Sequence, residues 1–284
     1  AALGAGKHVY DGIPFAADLD AARDLRDAAD AAGTVAVVDA YSEHFGPFRF
    51  AEELLAEGTL GTVQSVVARL ELSLFDLPTS AFPYNWFHDA TFGASALRNL
   101  GSHLLHLLVY LLGPVAEAAG TATRFVDRWD FVDTDGGLDV EVADTAVAAL
   151  RFESGPIGAL TAAWAGAAGP GFHLELAGNR GRLVLSAPMM PSGESTVLLG
   201  RAGRALEPVE VPERLTTTEG IELPSAWPGD PRGAMARSFW LMTRAIDGED
   251  TARPDFGRGY HVQSVIEAVY RSGEGAGWVR PADL

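Results

Sequence analysis

The chain has 284 residues, of which 48% are hydrophobic, with no cysteine and a formal net charge of -17. These values exclude a mainly disordered chain, disulfides and thiolate chemistry, and they argue against a nucleic-acid partner, because phosphate binding depends on clustered lysine and arginine. No apolar run reaches the length of a membrane span, and the first residues lack the charged and apolar parts of a signal peptide. We therefore expect a cytoplasmic protein without a membrane partner.

The first 46 residues predict one strand, helix, strand unit. An extended run over 8–11 precedes apolar residues at helical spacing over 18–32, and Gly33 marks the end of that helix. Residues 34–39 then predict a buried strand. Two short apolar runs on either side of an amphipathic helix are typical of a parallel sheet, and we interpret this unit as the last part of a dinucleotide-binding domain of the Rossmann type.

Residues 47–284 predict a larger α+β domain, so that the domain boundary falls between residues 46 and 47. Short strands that follow one another without intervening helices indicate an open, mostly antiparallel sheet. Helices are expected over 48–57, 95–112, 231–247 and 257–272, and strands over 63–74, 118–125, 145–152, 157–164, 172–177, 182–185, 196–199 and 208–211. One face of the sheet would expose Trp164 and several aliphatic residues, which favours a homodimer or homotetramer formed through that face.

The segment Gly4-Ala5-Gly6-Lys7 superficially resembles a phosphate-binding loop. A P-loop requires Ser or Thr after the lysine and then a helix, and a dinucleotide fingerprint requires a strand before its glycines and a helix after them. A strand follows this segment instead. We therefore expect a turn here and no pyrophosphate site in this chain.

Three polar side chains, Asn99, His103 and His106, interrupt the apolar helix predicted over 95–112. Their spacing of four and three residues places them on one helix face. A buried polar group needs a partner or a cavity, and histidine is well suited to proton transfer near neutral pH. The pattern leaves a structural and a functional role open. It disfavours a metal site, because no nearby Asp or Glu completes a ligand set.

A second polar and aromatic cluster, Asn85, Trp86 and His88, lies in the long loop over 75–92. Ligand contacts concentrate in such loops, so we expect these residues to bind substrate. The alternative is a loop held in place by Trp86 packing in the core. Hydrolase motifs of the G-x-S-x-G or H-E-x-x-H type do not occur in the sequence.

Several short motifs occur in an order that resembles the Gfo/Idh/MocA family of glucose-fructose oxidoreductases and inositol dehydrogenases, over nearly the whole chain. They are Gly6-Lys7-His8-Val9 followed by Pro14 (G-K-H-V and E-K-P in the family), Phe45-Gly46-Pro47 (R-F-x-P), Asn99-x-Gly101-x-His103-x-x-His106 (D-x-G-x-H-x-x-D), and Tyr260-His261-Val262-Gln263 with Arg271-Ser272 in the last helix. The resemblance implies binding of NAD or NADP by a Rossmann domain, and a second domain whose open sheet supports dimers or tetramers.

The resemblance also implies an activity and the roles of particular residues. The expected reaction passes a hydride between nicotinamide and a hydroxyl-bearing carbon of a small substrate such as a sugar or cyclitol. His103 matches the family's acid or base for the hydroxyl proton, and Asn99 and His106 match substrate contacts. The segment Gly12-Ile13-Pro14, with His44, matches positions that contact the cofactor.

Two departures from the family pattern bear on function. The E-K-P motif has become Gly12-Ile13-Pro14, and Lys7, the only lysine, belongs to the preceding motif, so the usual lysine contact is absent. The family's N-terminal strands and glycine-rich loop also precede the point at which this sequence begins, and we expect an N-terminally truncated copy. A non-catalytic ligand-sensing or regulatory member is therefore the alternative to an oxidoreductase, and a cofactor-assisted glycosidase is a third hypothesis that no residue singles out.

Overall fold

A computed structural model describes residues 1–76, 78–133, 136–218, 221–222, 224 and 229–284. In this part of the chain, two parallel strands with one helix precede a large sheet that is covered on one face by helices. None of the described helices is long and apolar enough to cross a membrane.

The N-terminal unit consists of β1 (Val9–Asp11), α1 (Leu19–Ala32) and β2 (Ala36–Val38). The two strands pair in parallel, with Val9 opposite Ala36, as the sequence predicts. Asp18 caps α1 by accepting a hydrogen bond from the backbone N–H of Ala21, and Gly33 ends the helix in the left-handed conformation that favours glycine.

The large sheet has eight strands in the order β12-β11-β10-β9-β3-β8-β7-β4. Every neighbouring pair is antiparallel except β3 and β8, which confirms the predicted open, mostly antiparallel sheet. Its strands are β3 (Val63–Glu71), β4 (Val115–Thr123), β7 (Thr145–Phe152), β8 (Ile157–Ala163), β9 (Gly171–Gly178), β10 (Gly181–Ala187), β11 (Thr196–Arg201) and β12 (Glu207–Pro208). A separate hairpin is formed by β5 (Arg128–Trp129) and β6 (Leu138–Asp139).

One face of this sheet is covered by helices and the other is open. The remaining helices are α2 (Gly46–Ala56), α3 (Ser102–Leu112), α4 (Glu213–Thr216), α5 (Pro231–Ile246) and α6 (Phe256–Arg271). The helices α3 and α6 pack on the sheet, and α6 also packs against α1. Phe256 at the start of α6 belongs to the small hydrophobic cluster of the N-terminal unit, whereas Val265 and Ile266 belong to the large core. The last helix therefore connects the two cores.

The open face carries mixed aliphatic and charged side chains. Along β7 the residues alternate between buried and accessible, as expected when one face of a strand packs on a core. Val67, Val147 and Ile157 are 45%, 50% and 60% exposed on this face. The expectation that Trp164 would join them is wrong. Trp164 follows the last residue of β8 and is fully buried in the core.

The predicted element boundaries differ from the structure at three further places. The helix expected over 95–112 begins with a wide π-helical turn at Leu97–Gly101 before α3. The strand expected over 208–211 is the two-residue β12, Glu207–Pro208, although the N–H of Val209 still donates to the carbonyl oxygen of Val197 at 3.0 Å. The β5–β6 hairpin was not expected, since each of its strands has only two residues.

Candidate active site

The carboxyl ends of β1 and β2 lie side by side and bring acidic and phenolic side chains together. Asp39, directly after β2, accepts a 2.7 Å hydrogen bond from the hydroxyl of Tyr10 on β1. Burial raises the pKa of the Asp39 carboxyl above its ordinary value, and burial also raises the pKa of Tyr10. Ligands of parallel sheets bind outside the carboxyl ends of the strands, so this edge is the expected place for chemistry.

Tyr41 connects this edge to His103 on the first turn of α3. It begins a short helical turn, Tyr41–His44, and its ring meets the imidazole of His103 edge to face at a centroid distance of 6.1 Å. His103 is half-buried, and its Nδ1 is buried without a hydrogen-bond partner. Removal from water lowers the pKa of His103 to about 4. The imidazole is therefore neutral at physiological pH and able to accept a proton.

The wide turn at Leu97–Gly101 holds Asn99 inside the helix start. The Oδ1 atom of Asn99 accepts a 3.1 Å hydrogen bond from the backbone N–H of Ser95, and the Ser95 hydroxyl lies 2.7 Å from the hydroxyl of Tyr270 on α6. Turns of this kind recur at functional sites because they displace side chains from ordinary helical positions. The Oδ1 atom of Asn99 is therefore already occupied by the backbone N–H of Ser95. The role of Asn99 in binding substrate stays a prediction.

His106 shares the helix face of His103 but lies deeper. It is 2% exposed, and its Nδ1 is also buried without a partner. Burial lowers its pKa well below the ordinary value, and repulsion from Arg258, His103 and His261 lowers it further. Two neutral imidazoles therefore follow each other along the interior of α3, and only His103 retains access to solvent.

The residues matched to cofactor contacts fall into two places. Gly12-Ile13-Pro14 directly follows β1 at the carboxyl edge, and Ile13 packs against the small hydrophobic cluster with its aliphatic side chain. His44 is 7% exposed, and its Nε2 lies 3.2 Å from the carbonyl oxygen of Arg253. Burial and the nearby Arg237 lower the pKa of His44 to about 3. The cofactor roles of all four residues stay predictions.

The loop residues predicted to bind substrate, Asn85, Trp86 and His88, make contacts mainly within their own loop and with the core. Trp86 packs against the large core and meets Phe87 edge to face at 4.4 Å, which agrees with the alternative that it holds the loop in place. The Nδ1 of His88 lies 2.9 Å from the carbonyl oxygen of Asn85, and Asn85 is an exposed residue. Among the described residues, no hydrogen bond or ring contact joins these three to His103, and their binding roles stay predictions.

Sequence reasoning missed Tyr10, Asp39 and Tyr41. A signal existed, because Asp39 follows the buried strand predicted over 34–39 and so marks the carboxyl edge of the parallel pair. Tyr41 lies in the connection between β2 and α2, where no periodic pattern of hydrophobic residues predicts its position. Over the described ranges, no group of three or more His, Asp or Glu side chains is arranged to hold a metal ion.

The model of the Gfo/Idh/MocA C-terminal domain matches residues 48–184. An uncharacterized oxidoreductase of Synechocystis aligns with the whole chain at 24% identity and over 75% of its own length. A dehydrogenase of Aspergillus oryzae, aclE, is 30% identical over 49% of this chain and 37% of its own. The matched segment, 48–184, therefore resembles the C-terminal domain of the Gfo/Idh/MocA family.

Solved structures show the same fold as this chain. An NAD-binding oxidoreductase from Klebsiella pneumoniae superposes with a TM-score of 0.82 at 24% identity, over 98% of this chain and 74% of that one. Levoglucosan dehydrogenase in complex with NADH and levoglucosan superposes with a TM-score of 0.83 at 19% identity, over the same shares. The chain thus spans about three quarters of these proteins.

Proposed function

We propose that this chain contributes the substrate domain of an NAD(P)-dependent oxidoreductase that acts on a hydroxyl of a sugar, cyclitol or related small polar molecule. The observation that carries the proposal is His103. It is a neutral, partly accessible imidazole beside Tyr41 at the carboxyl edge of a parallel strand pair. The proteins similar to this chain are named as oxidoreductases or dehydrogenases, and one was solved with NADH and a sugar-like ligand.

His103 acts as the general base when the substrate is oxidised. A ring nitrogen of this partly accessible imidazole accepts the hydroxyl proton as the carbon loses its hydride, and it returns the proton in the reverse direction. A bound oxidised nicotinamide supplies the acceptor for that hydride. The contact with Tyr41 fixes the plane of the His103 ring, and its low pKa keeps the accepting form populated at neutral pH.

The described residues fit one end of a dinucleotide better than the other. A side chain at Gly12 would meet no atom within 4 Å, so the space next to the carboxyl end of β1 is open at this position. Asp39 and the backbone of Gly12 would hold that end. Within the described ranges, the glycine-containing turn over Leu3–Ala5 offers no pyrophosphate site, because it precedes β1 rather than connecting a strand to a helix.

Titration of the intrinsic fluorescence of the chain's six tryptophans with NADH and NADPH tests cofactor binding. The protein tested includes any residues that precede Ala1 in its gene product. We expect this form to bind NADH or NADPH saturably and to turn over a sugar or cyclitol. His103→Gln should bind the cofactor and lose turnover, whereas His8→Gln, at the opposite edge of the parallel pair, should retain both. Binding without turnover in any polyol would contradict the oxidoreductase.

A ligand-sensing or regulatory member is the second candidate function. It is favoured by Ile13, which replaces the family lysine and packs into a hydrophobic cluster. The missing ammonium removes a contribution to substrate polarisation of up to a few kcal/mol. The variant Ile13→Lys distinguishes the oxidoreductase from the sensor. A gain of turnover supports an enzyme with a weakened site, whereas ligand binding without any turnover supports the sensor.

We further propose that two or four copies associate through the open face of the large sheet. Val67, Val147 and Ile157 give this face aliphatic area that would otherwise contact water. Light scattering at micromolar concentration should report a multiple of 30.0 kDa, and Val147→Glu should shift it to the monomer mass. A monomer mass for the unchanged chain would contradict this. The cytoplasmic location stays a prediction.

A further inference from the structure

A polar cavity of about 220 Å³ lies between α2, α5 and the segment that precedes α6. Arg49, Arg237 and Arg253 line it together with four carboxylates, those of Glu43, Glu52, Glu53 and Asp250. A larger cavity of about 740 Å³ adjoins it, and Arg49 and Arg237 line both. Neither cavity includes His103.

The three arginines have no carboxylate partner among the described residues. Arg49 donates to two neutral carbonyl oxygens, of Leu215 at 2.7 Å and Thr217 at 3.1 Å. Arg237 donates to the hydroxyl of Thr218 at 3.2 Å, and its Nε is buried without a partner. The guanidinium of Arg253 lies 5.9 Å from the centroid of the Tyr110 ring.

The carboxylates around the cavity are each engaged elsewhere. Glu43 pairs with Arg258, and Glu52 accepts from the hydroxyl of Tyr110. Glu53 makes two parallel contacts with Arg214 at 2.6 and 2.7 Å. Asp250 accepts from the N–H of Thr251 at 2.8 Å and lies 3.7 Å from Arg244. Three of the four carboxylates thus have another arginine as their ion-pair partner, and among the described residues none of the four lies within ion-pair distance of Arg49, Arg237 or Arg253.

Electrostatics agree with this geometry. Burial lowers the pKa of Arg237 to about 10, and repulsion from Arg49 and Arg253 adds to the effect. Arg237 is half-buried, and Tyr110 and Asp250 offset part of this repulsion, so Arg237 stays a cation that can pair with an added anion. Such a cluster stands out in a chain with 38 acidic and 21 basic residues, where carboxylates outnumber their possible partners.

We propose that this cavity is a binding site for a small oxyanion, a phosphate or a carboxylate, held by Arg49, Arg237 and Arg253. Planar guanidinium groups recognise both anions through paired hydrogen bonds. The Nε of Arg237 supplies a donor that the protein leaves unused. Neutral His44 lines the same cavity. The site is separate from His103, so its occupation does not depend on hydride transfer.

Isothermal titration of the chain with inorganic phosphate, and separately with malonate, tests the site at constant ionic strength set with sodium chloride. We expect saturable binding of at least one anion, and the tighter of the two identifies the ligand as phosphate-like or carboxylate-like. Arg237→Met should weaken it about tenfold or more, the loss expected for one charge-assisted hydrogen bond. Arg128→Met, which removes a cation from the distant β5–β6 hairpin, should bind as the unchanged chain does.

Thermal unfolding gives a second measurement. In chloride buffer, Arg237→Met should unfold at the same or a higher temperature than the unchanged chain, because the substitution removes a half-buried guanidinium that is repelled by Arg49 and Arg253. Phosphate or malonate should then stabilise the unchanged chain more than Arg237→Met. If Arg237→Met does not fold, Arg49→Gln replaces it in both measurements. Absence of saturable binding by either anion, or equal binding by the cavity variant, would overturn the proposal.

Discussion

The two ends of α3 differ in the charge of the side chains around them. At its N-terminal end, His103 and His106 are desolvated and neutral, and their Nδ1 atoms have no partners. Two turns further on, Tyr110 lines a cavity that concentrates permanent cations. A buried histidine avoids the free-energy cost of a buried charge by losing its proton. An arginine cannot do so, because its pKa stays far above neutral. The first end is therefore suited to move protons and the second to hold an anion.

The largest expected effect falls at the neutral end. His103→Ala should lower kcat for alcohol oxidation by about 100- to 10,000-fold, the usual contribution of a general base. Binding of NADH should change little, because the substitution removes no cofactor contact. Steady-state assays and fluorescence titration of the same preparation measure both quantities. An activity loss below tenfold would assign the proton to another group.

The second prediction concerns His44 at the cationic end. In the folded chain, the pKa of His44 is about 3, below the ordinary value of 6.5. Between pH 6.5 and pH 3, His44 therefore binds a proton in the unfolded chain but not in the folded chain, which favours unfolding as the pH falls. Relative to His44→Gln, the unchanged chain should lose about 1.4 kcal/mol of unfolding free energy per pH unit across that window. Urea unfolding of both proteins from pH 7 to pH 4 measures the difference. A constant difference would contradict the account of a desolvated His44.

A third prediction tests the packing of α6 against β2. Gly259 on α6 faces β2, and an added Cβ would approach Val38 to 2.9 Å and the Phe15 ring to 3.1 Å. Gly259→Ala should therefore lower the unfolding free energy by about 1–3 kcal/mol through overpacking. Gly257→Ala, two residues earlier in the same helix, should be within about 0.5 kcal/mol of the unchanged chain. Equal effects of the two substitutions would show that this contact is not tight.

The smallest effect is expected at Tyr41. Tyr41→Phe keeps the ring that meets His103 and removes a hydroxyl, so kcat should change by less than about tenfold, below the loss expected for a general base. Tyr41→Leu removes the ring and should lower kcat further while leaving KM nearly unchanged. If the two variants behave alike, the ring contact does not position His103.

Local sequence patterns predict much of the fold and part of the candidate site. Helical and strand periodicity predicts β1, α1 and β2, and the shared helix face predicts that His103 and His106 are neighbours. The same patterns misplace Trp164, because they do not show that the chain leaves the sheet after Ala163, and they miss the wide turn that turns Asn99 inward. The arginine cavity was not predicted, since Arg49, Arg237 and Arg253 come from separate segments joined only by tertiary packing.

The central claim is that His103 is a neutral, desolvated base. Nitrogen-detected NMR of histidine-labelled protein, titrated from pH 8 to pH 4 and assigned with His103→Gln, measures its protonation directly. The account predicts that the His103 ring stays neutral until the pH approaches about 4. Protonation of His103 near pH 6.5 would show a solvated side chain and would contradict the account.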